Sequence, residues 1–397
     1  MLKESPFFEF LNRRKNPSFS QFLKTTEQDE GYIDWNGSVL PHNYGDTEFE
    51  YRSVRGSCAC FDVSPMRKIR VQGKDAGSFL DYLLTRPVSQ IASMRGVYVI
   101  FCNEDGTLKD DAILYKFNDE DYLILPSDID HSPYFYEIAG QRNLDQVSFS
   151  ECTASLAGLA IQGPQSARVT RSLGFDDVEY LEPYQFREYE FAGTRCIVAR
   201  MGFTADLGYE LWLPPEFSRN LASALQKTRK SLNLEVPGYG LGALEACRIE
   251  GGFVVAGWDF ATELDNTPDF ERNPFEVGLG WAVDLDAGEF IGKAALKALR
   301  QASTYVIRRI TVDTDVPLEG HELLTEVDGV ETSIGSVNCA SWSFGLERMI
   351  GNASIRKAHM SATEATVVVE GEPLTVQLTK GAYVNFERRN QVPAPLD

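Results

Sequence analysis

The chain has 397 residues, a formal net charge of −20, and 43% hydrophobic and 24% charged residues. That length exceeds what one hydrophobic core usually spans, so two or three domains are expected. The acidic balance excludes a nucleic-acid binder, which needs clustered Lys and Arg, and no apolar run approaches the ~20 residues of a membrane helix.

In chain order, residues 1–30 are polar and mixed and predict a helical lead-in, without the apolar run of a signal peptide. Cytoplasm is the expected compartment. Residues 32–44 carry aromatics, Gly and Pro, as an ordered loop would. Residues 67–71 alternate like a strand, and residues 76–84 place Phe79, Leu80, Leu83 and Leu84 on one helical face. Residues 98–103 and 111–117 read as strands joined by the turn Asn103-Glu-Asp-Gly-Thr, a hairpin. Residues 122–126 and 156–162 are further strands, the second stopped by Gly163-Pro164.

A second strand-rich zone covers 186–213, including 195–200 and 208–213, and amphipathic helices follow at 217–232 and 242–250. Residues 259–276 form a long acidic connector, and connectors of that length are often functional. Beyond residue 297, β-like runs at 307–312, 334–337, 366–370 and 374–378 predict a small all-β domain. The fold class is α+β, with residues 1–300 as two interleaved subdomains and 301–397 as a C-terminal β-barrel.

Several signals carry no chemistry. Gly238-Tyr-Gly-Leu-Gly-Ala243 fits a dinucleotide fingerprint, but Pro237 and a polar helix precede it where a buried strand is required. The seven cysteines are odd in number and scattered, and read as reduced thiols. The four histidines do not cluster, which argues against a His-rich metal site or a Ser-His-Asp triad. Glu387-Arg388-Arg389 reads as a solvated tail.

Three stretches could do chemistry. The hairpin is followed by adjacent acids, Asp110 and Asp111, which must point to opposite faces of a strand. A buried carboxylate there would be costly unless paired or bound to a ligand donor. In Gly202-Phe-Thr-Ala-Asp-Leu-Gly208-Tyr209-Glu210, the acid opens an apolar strand and could accept N–H groups of a heterocycle. Arg248 could clamp a carboxylate bidentately, or pair with Glu245 or Glu250.

Seven motifs in order resemble the glycine cleavage T-protein (aminomethyltransferase) superfamily: Trp35 through Pro41-His42-Asn43-Tyr44-Gly45; Phe61-Asp62-Val63-Ser64-Pro65-Met66; the Asn103 to Asp111 hairpin; Ala160-Ile161-Gln162-Gly163-Pro164; Gly202 to Glu210; Gly240 to Glu250; and Phe290-Ile291-Gly292-Lys293. The resemblance implies a three-domain cloverleaf around a channel that takes tetrahydrofolate. It implies Asp110 beside the reactive nitrogen as the catalytic residue, Glu210 with Tyr209 at the pterin, and Arg248 as a folate or structural contact. Trp35, Tyr44, Phe203 and Trp258 become candidate substrate contacts, with Trp281 beside them.

Pro65, Ala205-Asp206 and Leu244 depart from the T-protein pattern, whereas Arg248-Ile-Glu-Gly-Gly252, Asp259-Phe260 and Asn273 to Leu279 look like the dimethylsulfoniopropionate demethylases. The expected activity is transfer of a methyl group from a small methylated donor, such as a sulfonium or methoxy-aromatic acid, to folate N5, by a monomer or homodimer. The alternatives are the aminomethyltransferase itself and a folate-binding protein without turnover.

Overall fold

The computed structural model describes residues 2–11, 31–265 and 268–393. Most of the expected lead-in helix lies outside them; within them a single helical turn, Phe8–Leu11, follows Lys3–Glu4, the first strand of a small three-stranded sheet. Residues 32–44 are a correction. They form a hairpin, Tyr32–Trp35 against Ser38–Pro41, with Trp35 opposite Ser38. Asn36 (φ 52°) and Gly37 (φ 77°) make its turn, and Asn-Gly between alternating residues is the strongest short-range hairpin signal.

Two antiparallel five-stranded sheets form the body. The first contains Ile69–Gln72, Arg95–Cys102, Leu108–Asn118, Asp121–Pro126 and Ser148–Glu151. The second contains Ala59–Asp62, Ala157–Gln162, Phe186–Phe191, Thr194–Ala199 and Gly208–Leu213. The chain starts the second sheet, leaves to build the first, and returns, so the two are interleaved.

Each sheet buries both faces. Helices Ala76–Leu83 and Ser132–Gln141 cover the outer face of the first through Phe79, Leu80 and Phe135. Ser166–Ser172 and Ser218–Leu232 cover the outer face of the second through Val169, Leu221 and Leu225. The inner faces share one core, in which Phe61, Ala160, Ile197 and Trp212 meet Tyr115, Phe117, Leu123 and Leu125. Strand periodicity of two therefore decides, residue by residue, which side chains reach the space between the sheets.

The expected hairpin is present, with Phe101 opposite Asp110 and a register shift at Cys102. Gly106 (φ 84°) turns its tip, and a Cβ there would lie 2.7 Å from Leu299, so the tip docks tightly on helix Lys293–Ala302. The glycines that imitate a dinucleotide loop serve packing. A Cβ on Gly240 would lie 2.3 Å from the carbonyl oxygen of His42, and one on Gly238 would meet the Tyr44 ring at 2.9 Å.

Six strands close into a C-terminal barrel, running from Tyr305–Val312 to Glu372–Thr379. Helix Leu241–Glu250 packs on it. At that junction Glu250 accepts hydrogen bonds from Tyr51 (2.6 Å), Ser343 (2.5 Å) and Arg55 (2.6 Å). The segment after the barrel is not the solvated tail expected. Arg388 grips Asp206 with two hydrogen bonds of 2.6 and 2.7 Å, and Arg200 donates to the carbonyls of Arg388, Arg389 and Gln391. Asp206, one of the departures from the T-protein pattern, is thus an anchor for the C-terminal segment.

Candidate active site

Alternation along Leu108–Asn118 assigns the two adjacent acids. Asp110 shares the outer face with Ala112 and Leu114, and Asp111 shares the inner face with Ile113, Tyr115 and Phe117. This corrects the placement of Asp110 in the channel. Asp110 is fully buried behind the strand and accepts hydrogen bonds from Ser127 (2.7 Å), from the Asp111 amide (2.8 Å) and from His131 Nε2 (2.8 Å). The inner acid is Asp111, whose carboxylate accepts the hydroxyl of Tyr98 at 2.7 Å. Burial, and then the charge of Asp110, push its carboxyl up to about 7. The Tyr98 ring lies 5.6 Å from that of Trp281, which is 64% exposed.

The second sheet repeats the device. Glu210 and Trp212 face inward, and Tyr209 and Leu211 face outward into the helix-covered core. The Tyr115 hydroxyl, 2.6 Å from Met201 Sδ, also reaches Glu210 across the gap at 3.3 Å. Burial raises the Glu210 carboxyl to about 7, partly offset by that hydrogen bond and by Lys68. Lys68 is buried with its ammonium on the carbonyls of Ser64 (2.9 Å) and Met66 (2.6 Å) and over the Trp212 ring at 5.0 Å. Burial lowers it to about 8. Sequence reading missed Lys68, because a lysine after Met66-Arg67 carries no signal of burial.

Asp111 and Tyr115 are four residues apart on one strand, roughly 13 Å. The space between the sheets is thus lined by two carboxylates that titrate near neutrality, Asp111 from the first sheet and Glu210 from the second, each with a tyrosine hydroxyl. Glu210 has no other hydrogen-bond partner among the described residues, so its remaining acceptor capacity suits a heterocycle that presents paired N–H donors. Gly96, opposite Tyr115, lets its neighbours pack closely: a Cβ there would lie 3.3 Å from Met201 and 3.5 Å from the Tyr115 ring.

The other expected contacts divide. Tyr209 cannot join Glu210 at one ligand, since neighbours on a strand point oppositely; its side chain is in the outer core. Tyr44 is also in that core, packed on Gly238. Arg248 is fully buried and its guanidinium is taken: it donates to Glu245, to Asp259 (2.9 Å) and to the Phe253 carbonyl (3.1 Å). Asp259 also accepts the Val255 amide at 3.0 Å and the Asn352 side chain at 2.8 Å, tying the long connector to the barrel. Tyr209 and Tyr44 are set aside by which core receives them, whereas Arg248 is used up by internal partners that the sequence does not show.

Three candidates are accessible. Trp35 donates to Asp128 at 2.8 Å and lies against Phe61. Phe203 stacks on Phe253, ring centroids 5.2 Å apart, and Trp258 is half-exposed.

Twin facing sheets, a barrel docked on their connecting helix and a pair of acids between the sheets define the T-protein type of folate-dependent one-carbon transferase. The chain belongs to the family described as the GCVT N-terminal domain, whose model matches residues 25–287. It is similar to the aminomethyltransferase of Chlorobium limicola, 31% identical over 85% of this chain and 91% of that protein. It is also similar to the aminomethyltransferase of Thermoanaerobacter pseudethanolicus, 27% identical over 96% of this chain and 99% of the relative. The glycine cleavage system aminomethyltransferase T structure from Bartonella henselae superposes with a TM-score of 0.80 at 21% identity, covering 97% of this chain and 99% of that one. That likeness gives the fold.

Proposed function

We propose that the chain transfers a one-carbon unit from a small donor to tetrahydrofolate, with Asp111 as the proton-handling residue and Glu210 as the pterin anchor. The observation that carries this reading is the pair of inward carboxylates, each held near neutral proton affinity and each partnered by a tyrosine. Tetrahydrofolate supplies the nucleophilic nitrogen that accepts the carbon. Glu210, desolvated and with free acceptor capacity, orients the heterocycle. Asp111 takes or returns a proton where charge changes during transfer, and a carboxyl near 7 can do either at physiological pH. The sheets on either side exclude water from the partners.

Named relatives support aminomethyl transfer as the first reading of the donor. Demethylation of a cationic methyl donor is the second, and one observation favours it: the Trp281 indole stands exposed beside Tyr98 and Asp111, an aromatic and acidic setting suited to a sulfonium or quaternary ammonium head. The test is turnover with tetrahydrofolate. An aminomethylated lipoyl carrier, dimethylsulfoniopropionate, glycine betaine and vanillate are offered in parallel, with ammonia release and methylated folate as readouts. Ammonia from the lipoyl carrier supports the first reading, and methylated folate from a cationic donor, lost in Trp281→Ala, supports the second. No folate binding by calorimetry overturns both.

A further inference from the structure

The outer acid of the hairpin is too well furnished to be a by-product of strand alternation. Asp110 receives three donors, and one of them is the amide of Asp111 itself, so its carboxylate holds the peptide from which the inner acid projects. His131, which supplies another, stands just before helix Ser132–Gln141 and is buried. Phe101 meets its ring edge-on at 4.9 Å, and Phe135 stacks on it at 5.9 Å. Its Nδ1 has no partner among the described residues. A buried N–H with no acceptor costs about 1–3 kcal/mol. The tautomer that avoids this penalty carries its proton on Nε2 and gives it to Asp110.

We infer that Asp110 and His131 are a positioning pair that sets the proton affinity of Asp111 from the far side of its strand. The inference rests on the reading of Asp111 as the proton-handling residue. With His131 donating from Nε2, the Asp110 carboxylate is held one residue away from the inner acid, fully buried on the opposite face of the strand. The other ionisable groups facing Asp111 are Tyr98 on the neighbouring strand, Tyr184 beside Tyr98, and Asp259 on the connector. Those near Asp110 are His131 and Asp128, the latter held by Trp35 and by its neighbour Arg67. Of these, Asp110 acts on Asp111 most strongly, second only to burial. Its field keeps a proton on Asp111 at a pH where an ordinary aspartate has lost it. The hydrogen bonds from Ser127 and His131 keep that field fixed in place.

The experiment is a carboxyl titration of Asp111 by 13C NMR in the folate-free protein, assigned through Asp111→Asn, beside pH profiles of kcat/KM. Asp110→Asn is expected to lower the Asp111 midpoint by about one pH unit, a tenfold change in proton affinity. The acid limb of kcat/KM should move with it while KM for folate stays unchanged. His131→Leu should displace the midpoint, and His131→Gln, whose amide can still donate, should restore it. A role confined to packing would lower Tm and leave the midpoint where it was. An unmoved midpoint in Asp110→Asn overturns the inference, even if Asp111→Asn is inactive. Full activity in Asp111→Asn overturns the functional reading instead, and the titration still decides whether the pair sets the proton affinity. If Asp110→Asn does not fold, the His131→Leu and His131→Gln comparison decides, and no displacement in His131→Leu overturns the pair.

Discussion

Tyr115, on one sheet, reaches Glu210, on the other, at 3.3 Å and spans the space between the sheets that our proposal gives to the folate ring. The contact is long for a hydroxyl and a carboxylate, so it holds Glu210 in orientation without using up its acceptors. Glu210→Gln replaces one acceptor oxygen with a donor and should weaken folate binding by about ten- to a hundredfold, or 1.4–2.8 kcal/mol. Tyr115→Phe should cost less than tenfold. Calorimetry at pH 7.5 gives both numbers, and equal losses would mean that Glu210 does not meet the ligand directly.

Asp111→Asn keeps shape and the hydrogen bond from Tyr98 but removes the ionisable group. Turnover should fall by about 10²–10⁴-fold, while folate affinity stays within a few-fold and Tm does not fall. Binding lost in parallel with turnover would make Asp111 an anchor like Glu210.

Much of this architecture could be read from the chain, and the limits have physical causes. The hairpin at residues 103–111, the helices at 76–84 and 217–232, and the barrel are written in local periodicity and turn chemistry. The rule that adjacent acids diverge was legible too. What the chain could not supply was the sign: which acid faces inward depends on which sheet face receives helices 76–83 and 132–141, and that is a tertiary fact. The same lack of partners left Arg248 open between a ligand and an internal pair; its acceptors are Glu245, one turn earlier in its helix and one of the pairings the sequence offered, and Asp259 across the connector, which it did not. His131 and Lys68 gave no local signal, since their roles come from residues distant in sequence or from burial.

Arg248 and Asp259 therefore belong to the joint between connector, helix and barrel. Removing one member of a fully buried pair strands the other charge, a loss of about 3–5 kcal/mol. Arg248→Met should lower thermal stability by that amount, and Arg248→Met with Asp259→Asn should recover part of it. Folate KM in whatever folded protein remains should stay near wild type. A large rise in KM with unchanged Tm would return Arg248 to the ligand.

Stability should fall as pH rises from about 5 to 8. Asp111, Glu210 and Glu50 all titrate near 7 in the folded chain, chiefly because burial disfavours their charged forms; unfolded, such groups titrate near ~4. Between those values the folded state holds more protons than the unfolded one, so raising pH favours unfolding. This contribution is fully present below ~4 and is gone once pH has risen through about 7. Below ~4 carboxylates paired with cations in folded proteins begin to protonate and pull the other way, which puts the optimum near ~5. The net charge of −20 adds self-repulsion in the same direction, because it grows as the acids ionise. Tm should be roughly 2–5 °C higher at pH 5 than at pH 8, and Glu210→Gln, which cannot ionise, should flatten the slope. A Tm that climbs steadily toward pH 8 would mean that these three carboxyls are ionised in the folded protein at little cost, and the case for Asp111 as a group that both takes and returns a proton near neutrality would fall with it.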